Sequence, residues 1–350
     1  MTVRLSVLDR SSTRQGQSDA RALRDTVRFA RQAEELGYHR FWVSEHHSVP
    51  GLAGSAPTVL AAAVAAATER IRVGTGGVML PNHRPLVVAE QFGVLEALYP
   101  GRIDMGLGRS VGFTNGVRRA LGQDKEAADA FADQLGELLG YFSGDQRAHP
   151  GVHARPGEGM AVSPFLLATG AGAEIAAGFG LPLVVGGPRS TEAISRYRNA
   201  FRPSGWAQSP YVVVAATVAV AETMEQARRL LLPEAWSTAH SRTRGEFPPL
   251  RSPEEVLALE LTDRERTLLD EALRGQIHGT AAEVAAALGE LVERTGADEV
   301  LVTMSTYDRA DMLDSYRRLA ELTVPGANRS AVATNGGSVA EGITGLFPSR

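Results

Sequence analysis

The stretch WVSEHHSVPG, Trp42 to Gly51, runs from a strand-like segment into an acid and two adjacent histidines, two of the eight in the chain. Three chemistries suit such a cluster: a metal site, a catalytic acid or base, and a structural pair whose ring N–H groups are satisfied by backbone carbonyls. Adjacent residues leaving a strand point to opposite faces, so His46 and His47 do not readily converge on one ion, whereas an H-x-H spacing would put both on one side. The spacing favours one histidine facing a pocket as a hydrogen-bonding group and the other packing outward. His149 and His153, in AHPGVHARPG, lie in a loop-like stretch and carry no assignment.

A second group gathers around Arg109, which follows LGLG. A guanidinium at a strand end suits bidentate recognition of a phosphate. The turn TGAGAE, Thr169 to Glu174, adds a hydroxyl and backbone N–H groups at the start of a helix, with Gly170 and Gly172 allowing an anion to approach the main chain. Together these features suit a phosphate-bearing ligand such as flavin mononucleotide (FMN). The alternative is a rim salt bridge for Arg109 and an ordinary turn for the glycines. Gly76 and Gly77, in VGTGGVMLPNHRP, either leave room for a flat ring at the end of a strand or simply turn the chain.

These residues need a scaffold that brings strand ends together. Apolar runs at RLSVLD, RFWVS, IRVGTGG, RIDMGLG, FLLATG, LPLVVGG, PYVVVAATVAV and DEVLVTMS alternate with helical patterns such as RALRDTVRFARQAEELG and PLVVAEQFGVLEALYPG. Nearly continuous apolar strands separated by helices imply a parallel sheet covered on its outer face. Eight such units predict a closed (β/α)₈ TIM barrel. An open doubly wound sheet would call for G-x-G-x-x-G after a strand; GLGRSV has Val111 and GAGAEI has Ile175 at the third glycine position. Barrel chemistry gathers at the C-terminal strand ends, where Arg10, His46, Gly76, Gly77, Arg109 and the Thr169 to Gly172 turn all fall.

Between strands seven and eight, residues 237–279 are expected to form an insertion of short helices, because Ser252 with Glu255 and Thr262 with Glu265 carry capping-box signatures, as do Thr280 and Glu283 just beyond. Over a barrel rim such a segment would serve as a lid. One domain is expected over 1–325, followed by a small, polar, Gly-rich flexible tail over 326–350.

At 350 residues and 43% hydrophobic, the chain can bury a full core. A formal net charge of -4 gives no basic footprint for nucleic acid. With no cysteine there is no disulfide framework, thiolate zinc site or cysteine nucleophile, and Lys125, the one lysine, sits in a charged helix start unsuited to Schiff-base chemistry. MTVRLSVLDR is charged too early for a signal peptide, and no apolar run approaches the ~18 residues that span a bilayer. A soluble cytoplasmic protein is expected.

The segments EHH, VGTGG, LPNHRPL and GRID, within a dense match over Leu5 to Gly108, resemble the bacterial luciferase-like family of flavin-dependent monooxygenases, in its single-chain oxidoreductase branch. The resemblance returns at LATGAGAEIAAGFGLPLVVGG and at HGTAAEVAAALGELVERTGADEVLVTMSTYDRADMLDSYRRLAEL. It implies a (β/α)₈ barrel that takes reduced FMN (FMNH₂) from a separate flavin reductase and activates O₂ as a C4a-hydroperoxide to oxidise an organic substrate. By position it implies that His46 serves the flavin, leaving His47 structural. It implies a non-prolyl cis bond at Gly76-Gly77 under the isoalloxazine, phosphate contacts from Arg109 and from Thr169, Gly170 and Gly172, no metal, and a homodimer formed through the second and third helices near Glu90.

The chain departs from the family pattern at LSVLDRSST, where the usual start is close to LSVLDQSP, at Gly108, where luciferase has a cysteine, and at Ala168 and Thr169. The long insertion and Arg-rich mouth are consistent with a substrate larger than a simple aldehyde, such as an aromatic natural product. The alternatives are an oxidoreductase of the same fold using the deazaflavin F420, a non-catalytic flavin-binding homologue, and a metal-dependent barrel hydrolase.

Overall fold

The computed structural model describes residues 2–324 and 326 apart from 169, 171, 188 and 189. The tail expected over 326–350 therefore lies, except for residue 326, outside the described residues.

In chain order the elements are β1 (Arg4–Asp9), α1 (Asp19–Glu35), β2 (Arg40–Val43), α2 (Pro57–Ala66), β3 (Arg72–Thr75), β4 (Val78–Met79), α3 (Pro85–Leu98), β5 (Ile103–Gly108), α4 (Asn115–Ala120) and α5 (Phe131–Ser143). There follow β6 (Ser163–Leu167), α6 (Gly172–Gly178), β7 (Leu183–Gly186), α7 (Ser190–Ala200), β8 (Val212–Ala216), β9 (Val218–Val220) and α8 (Met224–Arg244). The chain then forms α9 (Pro253–Leu257), α10 (Asp263–Leu273), β10 (Ile277–Gly279), α11 (Ala281–Thr295), β11 (Glu299–Val302) and α12 (Arg309–Ala320).

Eight strands close a parallel barrel in the order β1-β2-β3-β5-β6-β7-β8-β11, with β11 returning to β1 and the β3–β5 pairing completing the ring. This is the (β/α)₈ barrel that the alternation of apolar runs and helices predicts. Alternation also explains α1. Ser18 caps its start by accepting from the Arg21 N–H, and Ala22, Thr26, Phe29, Ala30 and Ala33 line its buried face at helical spacing.

Inside the barrel the layers are distinct. At the N-terminal end Arg40 is paired with Asp104 and Glu299, all buried. Above them Trp42, Phe165, Val184, Val213 and Leu301 form a compact apolar cluster, leaving the C-terminal rim for polar side chains.

The register between β3, β4 and β5 carries one irregularity. Val73 pairs with Ile103 and Val78 with Leu107, so five residue steps on one side match four on the other. The additional residue is accommodated around Gly76 and Gly77, as in a β-bulge that re-aims the chain beside a site.

PYVVVAATVAV, expected as one strand, is two. Val213 to Ala216 pair with β11 in the barrel, and Val218 to Val220 leave it to pair with Ile277 to Gly279 of β10. Apolarity alone does not mark this change of partner. Between the seventh and eighth barrel strands, α8 runs unbroken through residue 237 to Arg244. The chain then lies across the rim: Gly51 N–H donates to Phe247 O at 2.8 Å, Leu250 N–H to Thr13 O at 2.9 Å, and Gln15 N–H to Leu250 O at 2.8 Å. The capping boxes at Ser252, Thr262 and Thr280 all form.

Candidate functional site

The end of β1 is a tightly bonded turn. Asp9 accepts from the Ser11 N–H at 2.6 Å and from Thr26 Oγ1 at 2.8 Å. This presents Arg10 to the barrel mouth, where its guanidinium pairs with Glu234 of α8, while Glu234 Oε2 also accepts from the Ser305 N–H at 3.0 Å. Arg14, by contrast, is consumed by structure. Its buried guanidinium donates to the carbonyls of Ser12, Thr306 and Tyr307, and burial lowers its pKa to about 9.

His46 is half-buried at the end of β2. Its Nδ1 lies 3.1 Å from Ser44 Oγ, its backbone N–H donates to Gly54 O at 2.8 Å, and the Phe113 ring stacks against the imidazole at 6.3 Å between centroids and 8° between planes. Burial, followed by the Arg10 charge, lowers its pKa from 6.5 to about 4. The imidazole is therefore neutral near pH 7 and can accept or share a proton.

His47 turns away, as alternation requires. Its Nε2 bonds Glu45 Oε1 at 2.7 Å rather than a backbone carbonyl. Glu45 is fully enclosed and also accepts from His83 Nε2 at 2.9 and 3.0 Å and from the Met79 N–H at 3.0 Å. Burial pushes its carboxyl up, but the His83 hydrogen bond and charge, the Met79 amide and the His47 hydrogen bond hold it below its ordinary value. Sequence reasoning assigned no role to Glu45 or His83. The EHH and LPNHRPL motifs contain both, but only the fold brings together residues 38 positions apart.

Glu45, His47 and His83 are also the described group whose donor atoms, all within 4.8 Å of one another, suit a metal ion. Separations of 2.7–3.0 Å to the carboxylate are hydrogen-bond lengths. The backbone donor on Glu45 adds to that reading.

The Gly76-Gly77 peptide bond is cis, as the resemblance implies. The directions in which β-carbons would project from these glycines are occupied. A β-carbon on Gly76 would lie 2.6 Å from Leu8 Cδ1, and one on Gly77 would lie 2.8 Å from Gly106 O. At Gly77 the obstacle is the backbone of β5, so packing requires glycine there, whereas at Gly76 a larger residue would have to displace the Leu8 side chain.

Arg109, at the end of β5, is half-buried and makes no hydrogen bond or ion pair with a described residue. A β-carbon on Gly172 would lie 3.9 Å from Arg109 Cδ, which brings this strand end and the turn after β6 to the same place. Gly170 adopts φ +62 with open space around it. Thr169, the hydroxyl expected to join them, lies outside the described residues. A half-buried guanidinium without a partner among the described residues, beside glycine backbone, fits a phosphate.

The family model described as luciferase-like monooxygenase matches residues 1–299. The chain belongs to that family. It is an oxidoreductase acting with O₂. The luciferase-like monooxygenase of Escherichia coli (strain K12) is 34% identical over 90% of this chain and 95% of its own length. The protein YvbT of Bacillus subtilis (strain 168) is 40% identical over 91% and 96%. Among solved structures, apo-MsnO8 is 34% identical with a TM-score of 0.83, covering 91% of this chain and 98% of that one.

Two further structures share the luciferase-like fold alone. The oxygenating constituent of 3,6-diketocamphane monooxygenase from Pseudomonas putida, in complex with FMN, is 18% identical with a TM-score of 0.70 over 93% of this chain and 99% of that one. An F420-dependent secondary alcohol dehydrogenase is 16% identical with a TM-score of 0.68 over 91% and 98%. No helix among the described residues is long and apolar enough to cross a membrane.

Proposed function

We propose that the chain is a cytoplasmic monooxygenase that receives FMNH₂ from a separate flavin reductase and uses it with O₂ to oxidise an organic substrate. The observation that carries this reading is Arg109: a half-buried cation without a partner among the described residues, against Gly172, on the same rim as a neutral His46. The loop leading from Arg109 also carries Phe113, whose ring stacks on His46. One short segment thus connects the phosphate end of the pocket with its imidazole.

In this reading Arg109 and the 170–172 turn hold the FMN phosphate, and Gly76-Gly77 underlies the ring system. Bound FMNH₂ supplies the electrons that activate O₂. His46, kept neutral by burial and by Arg10, accepts or returns a proton at its ring nitrogen. Residues 246–250, bonded to the loops after β1 and β2, restrict water at the mouth, and we assign residues 237–279 as a lid on a single domain over 1–325. Large side chains exposed on α2 and α3, namely Val59, Val87, Val94 and Leu98, support a homodimer through these helices, near Glu90.

The test is a titration of the purified protein with oxidised and reduced FMN, followed by oxygen uptake with a flavin reductase and candidate substrates, aromatic natural products among them. Association of FMNH₂ and substrate-dependent oxygen uptake are expected. Binding of reduced F420 with none of FMN would redirect the assignment to an F420 oxidoreductase, and tight FMN without turnover to a flavin-binding homologue.

A further inference from the structure

Glu45 stands beside His46 in sequence but faces another part of the molecule. Its enclosed carboxylate accepts from His47 Nε2 at 2.7 Å, His83 Nε2 at 2.9 and 3.0 Å, the Met79 N–H at 3.0 Å and Asn82 Nδ2 at 3.4 Å. His47 belongs to the His46 loop; Met79, Asn82 and His83 belong to the segment that continues from Gly76-Gly77. The contacts of His46 itself, to Ser44, Gly54 and Phe113, do not reach that segment. Beyond the strand pairing, which ends with the Gly76 N–H on Val43 O at 2.8 Å, the polar link between the two loops runs through Glu45.

We infer that Glu45, His47 and His83 form a positioning clamp for His46, fixing the loop that carries this imidazole on the segment that follows Gly76-Gly77. A single ionised carboxylate suits this role because it can accept several hydrogen bonds at once, two of them from imidazoles on different loops. A neutral amide of the same shape offers one acceptor oxygen and turns donors toward donors. The clamp gives a purpose to three polar side chains that the proposed flavin contacts leave unused. Its meaning for catalysis rests on the reading of His46 as the group that serves the flavin, but the geometry can be tested without flavin.

The experiment uses the full chain and the variants His83→Ala, His83→Gln and Glu45→Gln, with circular dichroism to establish folding. A glutamine at 83 places an amide N–H close to where Nε2 stood, so it preserves the donor. The rate at which diethyl pyrocarbonate modifies His46, read by peptide mass spectrometry, reports how well the ring is held. In His83→Ala and Glu45→Gln the rate is expected to rise about fivefold or more as charge-assisted hydrogen bonds are lost and the loop opens. In His83→Gln it should stay within roughly twofold of the unaltered chain.

Equal rates in His83→Ala and His83→Gln, or rates unchanged in every variant, overturn the clamp. So does stoichiometric binding of Zn²⁺ alone that is abolished in His83→Ala, which reassigns the trio as a metal site. With a reductase and FMN, kcat should fall about tenfold in His83→Ala while FMN affinity changes less than about twofold, the split expected of lost positioning. If the unaltered chain takes no FMN, the flavin reading fails and the labelling result still decides the clamp.

Discussion

Gly172 lies beside the side chain of Arg109: a β-carbon there would sit in ordinary contact with Arg109 Cδ, at 3.9 Å, and would clash with Ala168 Cβ at 2.8 Å. Two turns from different parts of the chain thus meet at a guanidinium that no described group neutralises. If the site holds FMN, Arg109→Ala should weaken FMN binding about 10- to 100-fold, the value of a charge-assisted contact to phosphate. Riboflavin, which lacks the phosphate, should lose about twofold at most. Flavin fluorescence titration of both ligands checks this. Equal losses for FMN and riboflavin would remove Arg109 from the phosphate.

The low pKa of His46 has a consequence for stability. Unfolded, the imidazole protonates near its ordinary 6.5; folded, it resists protonation until about 4, through burial first and the Arg10 charge second. Between these values the unfolded chain binds more protons. The contribution of His46 is therefore complete above pH 6.5 and is lost as pH falls toward 4. Urea unfolding at pH 7 and pH 5 should show a drop that is about 1–2 kcal/mol smaller in His46→Gln than in the unaltered chain. His39, lowered to about 4 mainly by burial, leaves a residual drop in both. An identical drop in the two proteins would show that His46 titrates normally.

The barrel was legible because its signal is repeated. Each of the eight barrel strands is a short apolar run, and a helix separates each from the next barrel strand, so errors of one or two residues at the ends change nothing. The capping boxes at Ser252, Thr262 and Thr280 were legible because their partners are three residues apart. The strand ends carrying His46 and Arg109 followed from the fold, since a barrel presents those positions on one rim. The approach of Arg109 to the Gly172 turn was also expected, because both end adjacent barrel strands, but relationships made by side chains reaching between loops escaped. Glu45 with His83, Arg10 with Glu234 and His46 with Phe113 each join separate loops, and no local pattern signals them. The split at Thr217 escaped because both halves of that run are equally apolar.

Val87, Val94 and Leu98 lie on α3 with Val59 nearby on α2, and they are 45%, 47%, 63% and 69% exposed. Helices this apolar on their outer face suit a cover, and in the proposed homodimer a second copy of the chain would supply it through a self-complementary surface. Val94→Glu and Leu98→Glu together should convert a dimer into a monomer, because two charges per protomer would be buried against their symmetry mates. Light scattering after size exclusion measures the mass directly. A monomer in the unaltered chain, or a dimer that survives both substitutions, would place the interface elsewhere or remove it.

Asp104 marks the opposite end of the barrel from His46. Its buried carboxylate accepts from Arg40 Nη1 at 2.8 Å, Trp42 Nε1 at 3.0 Å and Arg72 Nη2 at 2.6 Å. Burial pushes the carboxyl up, but the two guanidinium charges more than offset this and hold it below its ordinary value. Asp104→Asn removes the charge while leaving Arg40 enclosed, and breaking a buried pair in this way costs about 3–5 kcal/mol. Urea denaturation should register that loss in full. Because the ion layer lies beneath the Trp42 and Phe165 rings, flavin affinity of the folded fraction should change by less than about twofold. A loss below about 1 kcal/mol would mean that Glu299 alone satisfies Arg40. A large change in flavin affinity would mean that the barrel floor and its rim are mechanically coupled through the aromatic layer between them.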